Sequence, residues 1–239
     1  MAIQQSNILS MLYVLSKKYA DNDLFKFCME KDHRLITKWL HYFPIYEKWF
    51  SKFRNTDVVF VEVGVFQGGS AQMWKEYFGK KAKIIGIDID ERCKNFEEDQ
   101  ITIEIGSQED RNFWANFKQK YPRVDILLDD GGHTMNQQAV TFEEMFPHIE
   151  NTRGIYMCED CHTSYWQEYG GGFRKPDSFI ERSKTLIDMI NAFHTRGAVA
   201  PNYLTMNMGG VHFYDSIVVV EKSQIMFPPF DFSIGTPSF

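Results

Sequence analysis

Two acidic pairs follow apolar runs in the sequence and are the residues best suited to chemistry. Asp129-Asp130 closes "VDILLDD", and Glu159-Asp160 closes "GIYMCED". If the two runs are adjacent parallel strands, their ends lie about 5 Å apart, and the carboxylates repel unless a cation lies between them. Carboxylate oxygens without a soft ligand favour magnesium, manganese or calcium over zinc. His133 follows Asp130 by three residues, where an imidazole is suited to act as a general base.

Each of these residues also has a simpler interpretation. Asp129 or Asp130 could cap a following helix, and a single histidine in a turn is more often structural. Two acidic pairs at two strand ends are harder to explain in that way, so the sequence favours a metal site.

A second group of candidates lies in "VEVGVFQGGS", where a strand is predicted to turn into a helix. Glu62, Gly64, Gly68 and Ser70 span this turn, and glycines there let backbone N–H groups approach a ligand closely. The G-x-G-x-x-G spacing of nicotinamide sites is absent. Asp88 ends the next predicted strand, where a carboxylate can accept hydrogen bonds from ribose hydroxyls. The pattern predicts a nucleoside cofactor; a plain tight turn with a solvated Asp88 is the alternative.

A C-x-x-C-H pattern, from Cys158 to His162, overlaps the second acidic pair. Covalent haem attachment requires export, and we expect no export signal in the N-terminal residues. A zinc site needs two further ligands, and neither Cys28 nor Cys93 has a partner nearby in sequence. A redox C-x-x-C normally opens a helix, whereas this one straddles a strand end. The acidic pair is therefore predicted to be the functional part.

The elements that must position these residues alternate between strands and helices. Five apolar runs separated by helices predict an α/β fold with a doubly wound, mostly parallel sheet. "YLTMNM", Gly209-Gly210 and "VHFYDSIVVVE" then predict a C-terminal antiparallel β-hairpin. The residues predicted to cap helices are Ser70, Ser107 with Asp110, Thr134 with Gln137, and Ser178 with Glu181.

A helical N-terminal extension is predicted before the first strand. Residues 5–20 and 35–52 have apolar residues at helical spacing, and Pro44 is expected to interrupt or kink the second helix. Since no linker separates this part from the rest, residues 1–54 are interpreted as a cap on the domain formed by residues 55–239.

Composition narrows the classes of function. Of the 239 residues, 44% are hydrophobic, which is ample for a core, and the formal net charge is -6. A general nucleic-acid or anionic-membrane partner requires a basic face, which this charge argues against. No apolar run is long enough to span a bilayer, and four scattered cysteines do not form a secreted disulfide framework. We therefore expect a cytoplasmic protein that acts on a small molecule.

Five segments together resemble the class I S-adenosylmethionine-dependent methyltransferases: "VEVGVFQGGS", "GIDID", "IGSQED", "DDGGHTMNQQ" and "EDCHTSYW". They are most similar to the metal-dependent sugar O-methyltransferases of macrolide biosynthesis, and the cephalosporin hydroxylase-like group shares the pattern D-D-G-x-H. The similarity covers roughly residues 34–225, and its most specific part is D-D-G-x-H followed by E-D-x-x-T-S-Y. The macrolide enzymes carry a substantial N-terminal auxiliary domain, whereas a short helical extension is predicted here.

The resemblance implies a Rossmann-like methyltransferase sheet and roles for individual residues. Asp130, Glu159 and Asp160 would hold Mg²⁺ (or Mn²⁺), and His133 would be the general base. Ser107 and Gln108 would lie near the adenine of S-adenosylmethionine. The full set implied to bind this cofactor is Glu62, Gly64, Gly68, Ser70, Asp88, Ser107, Gln108, Asp129, His41 and Tyr46.

The implied reaction moves a methyl group from S-adenosylmethionine to a hydroxyl of a sugar or glycosylated natural product. Tyr165 and Trp166 would contact this acceptor, since aromatic rings suit the apolar faces of sugars. A catechol-type O-methyltransferase and a non-catalytic cofactor- or metal-binding module remain alternatives. A hydroxylase has less support, because no two-histidine-one-carboxylate iron pattern stands out. The sequence leaves self-association open.

Overall fold

The computed structural model describes residues 13–14, 17–30, 32–225 and 227–236. The helix predicted over residues 5–20 therefore falls largely outside the described residues. Within them, no helix combines the length and the apolar character needed to cross a membrane.

A single sheet forms the centre of the described part of the protein. Its strands are β1 (Val59–Val63), β2 (Lys83–Asp88), β3 (Ile101–Ile105), β4 (Ile126–Asp129), β5 (Ile155–Cys158), β6 (Met208–Tyr214) and β7 (Ile217–Lys222). Their order across the sheet is β3-β2-β1-β4-β5-β7-β6. The first five strands are parallel to one another, and β7 is antiparallel to β5 and β6. This confirms the predicted doubly wound sheet, and the strand order reverses between β1 and β4, where ligands of such folds bind.

Helices cover both faces of the sheet. They are α1 (Asp23–Met29), α2 (Phe43–Phe50), α3 (Gly69–Phe78), α4 (Arg111–Lys120), α5 (Met135–Met145), α6 (Phe179–Ile190) and α7 (Tyr203–Asn207). The first three pack with one sheet face in a hydrophobic cluster around Trp74, and the next three pack on the other face around Trp114. Aromatic residues of the N-terminal extension, such as Phe50, are part of the first cluster. The extension and the sheet thus share one core on that face.

The helix predicted over residues 35–52 is shorter than expected. Residues 34–39 have no regular structure, a 3-10 turn spans Leu40–Tyr42, and α2 follows. Pro44 lies in the first turn of α2 and does not kink it. The prediction failed because a proline lacks an N–H group, and in the first turn of a helix that group has no intrahelical partner.

The C-terminal hairpin is confirmed, but its turn lies at Asp215 and Ser216. Gly209 and Gly210 fall inside β6, and the "YLTMN" segment forms α7 instead of a strand. The side chain of Asn202 accepts hydrogen bonds from the first turn of α7. This cap favours a helix where the alternating apolar pattern predicted a strand.

The helix caps agree with the sequence in part. Thr134 forms the predicted reciprocal capping box with Gln137, and Ser178 caps α6. The N-cap of α3 is Gly68 in the left-handed conformation, and that of α4 is Asp110. The predictions that Ser70 caps α3 and that Ser107 opens α4 were therefore wrong.

Thr134→Ala should lower the free energy of unfolding by about 1 kcal/mol, because α5 loses the side-chain oxygen that accepts from the Gln137 N–H. Urea denaturation measures this loss. Thr185→Ala is the control, since its hydroxyl is exposed and bonds only within α6, and it should change stability by less than about 0.5 kcal/mol. Equal effects of the two substitutions would contradict the role of the cap.

Candidate functional site

A pocket of about 540 Å³ opens at the carboxyl ends of the strands around the reversal of strand order. One wall is the glycine turn after β1, and the other walls come from the ends of β2, β3 and β4 and from residues 35–38. The predicted cofactor residues that line it are Gly64, Ser70, Asp88, Ser107 and Gln108. The structure brings these residues together as parts of one cavity.

The glycines of the turn are required by close backbone packing. Gly64 has φ +93°, and a Cβ there would overlap the carbonyl oxygen of Asp130. Gly68 has φ +75°, and a Cβ there would lie 2.8 Å from the ring of Phe96. The turn can therefore lie directly against the loop that follows β4.

Asp88 holds the glycine turn in place. Its Oδ2 accepts hydrogen bonds from the backbone N–H groups of Val65 (2.9 Å) and Phe66 (3.2 Å), and its Oδ1 accepts from Asp90 (2.9 Å). A carboxylate has about four acceptor positions, so one remains for a ligand hydroxyl in the pocket.

Two further predicted cofactor residues, Glu62 and Asp129, are buried beneath the pocket. Glu62 accepts hydrogen bonds from the Ser70 hydroxyl (2.6 Å) and the Trp74 indole (3.0 Å). Asp129 accepts from the Gln108 amide (3.0 Å), and burial raises its pKa to about 6. Gln108 in turn accepts from the Gly132 N–H (2.8 Å). These side chains support the walls of the cavity from below.

Asp130, His133 and Asp160 form the acidic centre at one end of the pocket. Each offers a ligand atom, and these atoms lie within 4.8 Å of one another. His133 Nε2 is 3.6 Å from Asp160 Oδ2 and 3.9 Å from Asp130 Oδ1. Burial lowers the pKa of His133, although the charge of Asp160 opposes this, so the imidazole is neutral at pH 7.

The backbone at this centre is strained. His133 and Asp160 have φ +59° and +53°, in the left-handed region that non-glycine residues seldom adopt. The hydroxyl of Thr163 lies 2.9 Å from each of their carbonyl oxygens and shares its one hydrogen between them, which fastens the two loops to one another. His133 Nδ1 is buried and has no hydrogen-bond partner among the described residues. Strain and an unsatisfied buried nitrogen are features of functional sites.

Lys38 was not predicted, and it lies among the carboxylates. Its buried ammonium is 2.5 Å from Asp130 Oδ2, 2.6 Å from Glu159 Oε1 and 3.4 Å from Glu62 Oε1. Burial alone would lower the pKa of Lys38, but the charges of Asp130 and Glu159 outweigh burial and raise it. Lys38 therefore supplies part of the positive charge that the strand-end carboxylates require. The sequence carries no signal for this, because a single lysine in an irregular segment has no periodicity.

Glu159 is more deeply buried than the other predicted metal ligands. It binds Lys38 through Oε1 and accepts a hydrogen bond from the Tyr46 hydroxyl through Oε2. Asp130 and Asp160 stay partly exposed toward the pocket. Two carboxylates and an imidazole on one side of a cavity suit a hard divalent cation with open coordination positions, so the residues present fit a metal ion.

The remaining predicted residues do not line the pocket. His41 Nε2 is 3.2 Å from the Asp215 carbonyl oxygen, outside the pocket, and Tyr46 is buried below the carboxylates. Tyr165 and Trp166 are about half exposed. The ring centroids of Trp166 and His162 lie 4.6 Å apart, and His162 Nδ1 is 3.8 Å from Asp160 Oδ1. Aromatic surface therefore borders the acidic centre.

The chain is similar to characterised sugar O-methyltransferases. It is 31% identical over 203 residues to demethylmacrocin O-methyltransferase of Streptomyces fradiae, covering 79% of this chain and 51% of that protein. It is 32% identical over 198 residues to mycinamicin VI 2''-O-methyltransferase of Micromonospora griseorubida, covering 77% and 49%. The MycE methyltransferase of the mycinamycin pathway, solved with Mg, SAH and mycinamycin VI, superposes with TM-score 0.74 at 29% identity, covering 91% of this chain and 56% of that one.

The chain has the fold of the class I S-adenosylmethionine-dependent methyltransferases. No protein-family model matches it. It spans about half the length of the curated relatives it matches.

Gly64→Ala should lower the free energy of unfolding by about 3 kcal/mol or more, because the new Cβ would overlap the Asp130 carbonyl oxygen at a positive φ. Gly197→Ala is a matched control: φ is +90°, with nothing within 4 Å of the added carbon. It reports the cost of the backbone conformation alone, about 1 kcal/mol. Urea denaturation of both variants tests this, and equal losses would show that the contact with Asp130 is unimportant.

Proposed function

We propose that the protein is a metal-dependent O-methyltransferase that moves the methyl group of S-adenosylmethionine to a hydroxyl of a sugar in a glycosylated small molecule. The observation that carries the proposal is the continuity of the pocket from Asp88 and the glycine turn to Asp130, His133 and Asp160. A cofactor bound along this pocket has its reactive end beside an acidic centre and an imidazole.

The cofactor is proposed to be S-adenosylmethionine. MycE was solved with SAH, the product that remains after S-adenosylmethionine has lost its methyl group. Asp88 has an acceptor position for the ribose, Gly64 and Ser70 line the turn, and Ser107 with Gln108 lines the far wall for the adenine. Glu62, Gly68, Asp129 and Tyr46 support these walls, and His41 lies at the rim.

The metal is proposed to be Mg²⁺ or Mn²⁺, with Asp130, Glu159 and Asp160 as ligands. Asp130 and Asp160 face the pocket, and each oxygen of Glu159 keeps a lone pair after its bonds to Lys38 and Tyr46. When bound there, the cation supplies Lewis acidity that lowers the pKa of a coordinated hydroxyl.

His133 is proposed to accept the proton of the acceptor hydroxyl. The neutral imidazole favoured by burial is the form that can do so, and Nε2 faces the two carboxylates of the centre. Thr163 fixes the backbone of the base relative to Asp160. With S-adenosylmethionine bound, its sulfonium methyl would pass to this oxygen as the S–CH3 bond breaks and SAH leaves, and the pocket would contribute by holding the two reactants in line.

The acceptor is proposed to lie against the aromatic rim. Tyr165 and Trp166 are about half exposed in the segment that follows Asp160, and Trp39 lies across from His162 with ring centroids 6.0 Å apart. Such rings suit the apolar faces of a sugar. Three matched relatives are named for the O-methylation of demethylmacrocin, a rhamnosyl tetracenomycin and L-olivosyl-oleandolide.

A cytoplasmic location is part of the proposal. The cysteines at 28, 93, 158 and 161 are all free thiols in the part of the chain that the structure describes, which suits a reducing compartment. Self-association remains open.

Methyl transfer to glycosylated acceptors, followed by mass spectrometry with S-adenosylmethionine and Mg²⁺, tests the proposal. We expect product with sugar hydroxyls, loss of product with EDTA and little product with catechols. Methylation of catechols alone would favour a phenolic acceptor. Saturable binding of S-adenosylmethionine without product from either class would favour a binding module, and no binding by the folded protein would refute the assignment.

His133→Ala should lower kcat by a factor of about 10² to 10⁴ while SAH affinity stays within about twofold, because the base acts on the acceptor and not on the cofactor. Steady-state kinetics and titration calorimetry provide the two readouts. His194→Ala is the control, since His194 is exposed in the 3-10 segment Ala192–His194, far from the centre in sequence. A fully active His133→Ala enzyme would rule out the assigned base.

A further inference from the structure

Residues 34–38, here called the cover segment, cross the glycine turn and close one side of the cofactor pocket. The N–H of Arg34 donates to the side chain of Gln72 in α3 (3.0 Å), and its guanidinium donates to the Phe96 carbonyl oxygen (3.0 Å). A Cβ on Gly69 would overlap the carbonyl oxygens of Arg34 and Leu35. The cover segment therefore packs directly on the first turn of α3.

Lys38 ends the cover segment and reaches the acidic centre. Its side chain is 2% exposed, and the carboxylates that it contacts come from three separate places in the sheet. Glu62 is in β1, Asp130 follows β4, and Glu159 follows β5. Because the buried ammonium is shared by three carboxylates, these contacts fix the backbone at Lys38 as well as the carboxylates.

We infer that Lys38 is a positioning residue with two effects. It fastens the cover segment over the cofactor pocket. It also neutralises the inner carboxylates, Glu62 and Glu159, so that the outer side of the centre, formed by Asp130, His133 and Asp160, takes one divalent cation. The inference rests on the proposed function. It assigns the cofactor's cover and the metal site to a single side chain.

The two effects predict opposite consequences when the ammonium is removed. Glu62, Asp130, Glu159 and Asp160 would remain without a counter-charge, so a divalent cation would be attracted more strongly. The cover segment would meanwhile lose its attachment, so the cofactor would bind more weakly. A lysine with a purely structural role would weaken both ligands on removal, because the whole site would loosen.

Titration calorimetry of Lys38→Met with Mn²⁺ and, separately, with SAH distinguishes these cases. We expect the Kd for Mn²⁺ to fall by about threefold or more and the Kd for SAH to rise by about tenfold or more. Lys26→Met is the matched control from the same extension, since Lys26 is exposed and contacts only Asp23 among the described residues. Both affinities should be unchanged in this control.

Gly69→Ala separates the cover from the charge. It displaces the cover segment and keeps the ammonium, so it should weaken SAH without tightening Mn²⁺. Unchanged SAH affinity in Gly69→Ala would overturn the role of the cover. If Lys38→Met weakens both ligands, or changes neither, the inference is wrong.

Folding of the lysine variant provides an independent readout. If Lys38→Met is unfolded without metal, saturating Mn²⁺ should restore its thermal transition, because the cation replaces the lost positive charge and binds the native state. Failure of Mn²⁺ to restore folding would contradict the inference. If the wild-type protein binds neither SAH nor Mn²⁺, the proposed function itself fails, which separates that outcome from failure of the role of Lys38.

Discussion

Four carboxylates meet at one edge of the sheet, and the structure of the site depends on how their mutual repulsion is offset. They belong to Glu62, Asp130, Glu159 and Asp160. At a separation of about 4 Å and an effective dielectric constant of about 20, two such charges repel by about 4 kcal/mol. Hydrogen-bond donors to the two buried carboxylates offset this repulsion. The Lys38 ammonium and the Trp74 indole donate to Glu62. The Lys38 ammonium and the Tyr46 hydroxyl donate to Glu159. The aromatic extension packed on the sheet brings the tyrosine and the lysine to these places. Lys38 and Tyr46, both from this extension, are thus part of the electrostatics of the acidic centre.

Much of this arrangement is visible in the sequence because it depends on strand ends. Apolar runs predicted five parallel strands, and parallel strands place their carboxyl ends at one edge, so Asp130, Glu159 and Asp160 were expected together. Thr134 and Gln137 were expected to cap α5 because their spacing is local. These features need only a periodicity or a short motif, both of which are read within a few residues.

The rest depends on contacts between distant residues or on backbone conformation. Lys38 is 92 residues from Asp130 and 121 from Glu159. A single lysine in the sequence does not predict contacts with such distant partners. Ser70 looked like a cap, but Gly68 takes that position by adopting a left-handed conformation, which leaves the serine hydroxyl free to reach Glu62. The "YLTMN" segment became α7 because of one asparagine cap, against its apolar pattern. In each case tertiary structure or a single side chain outweighed local preference.

The acidic centre has an inner and an outer side with different work to do. On the inner side, Glu159 has both oxygens satisfied by buried donors, so its position is fixed whether or not a cation is bound. On the outer side, Asp160 and His133 sit in left-handed backbone conformations and face the pocket, held by Thr163. Strain of this kind persists only where the surroundings fix it, and here the fixed inner side provides that support. The rigid inner half of the site thus holds the strained, partly exposed outer half in place.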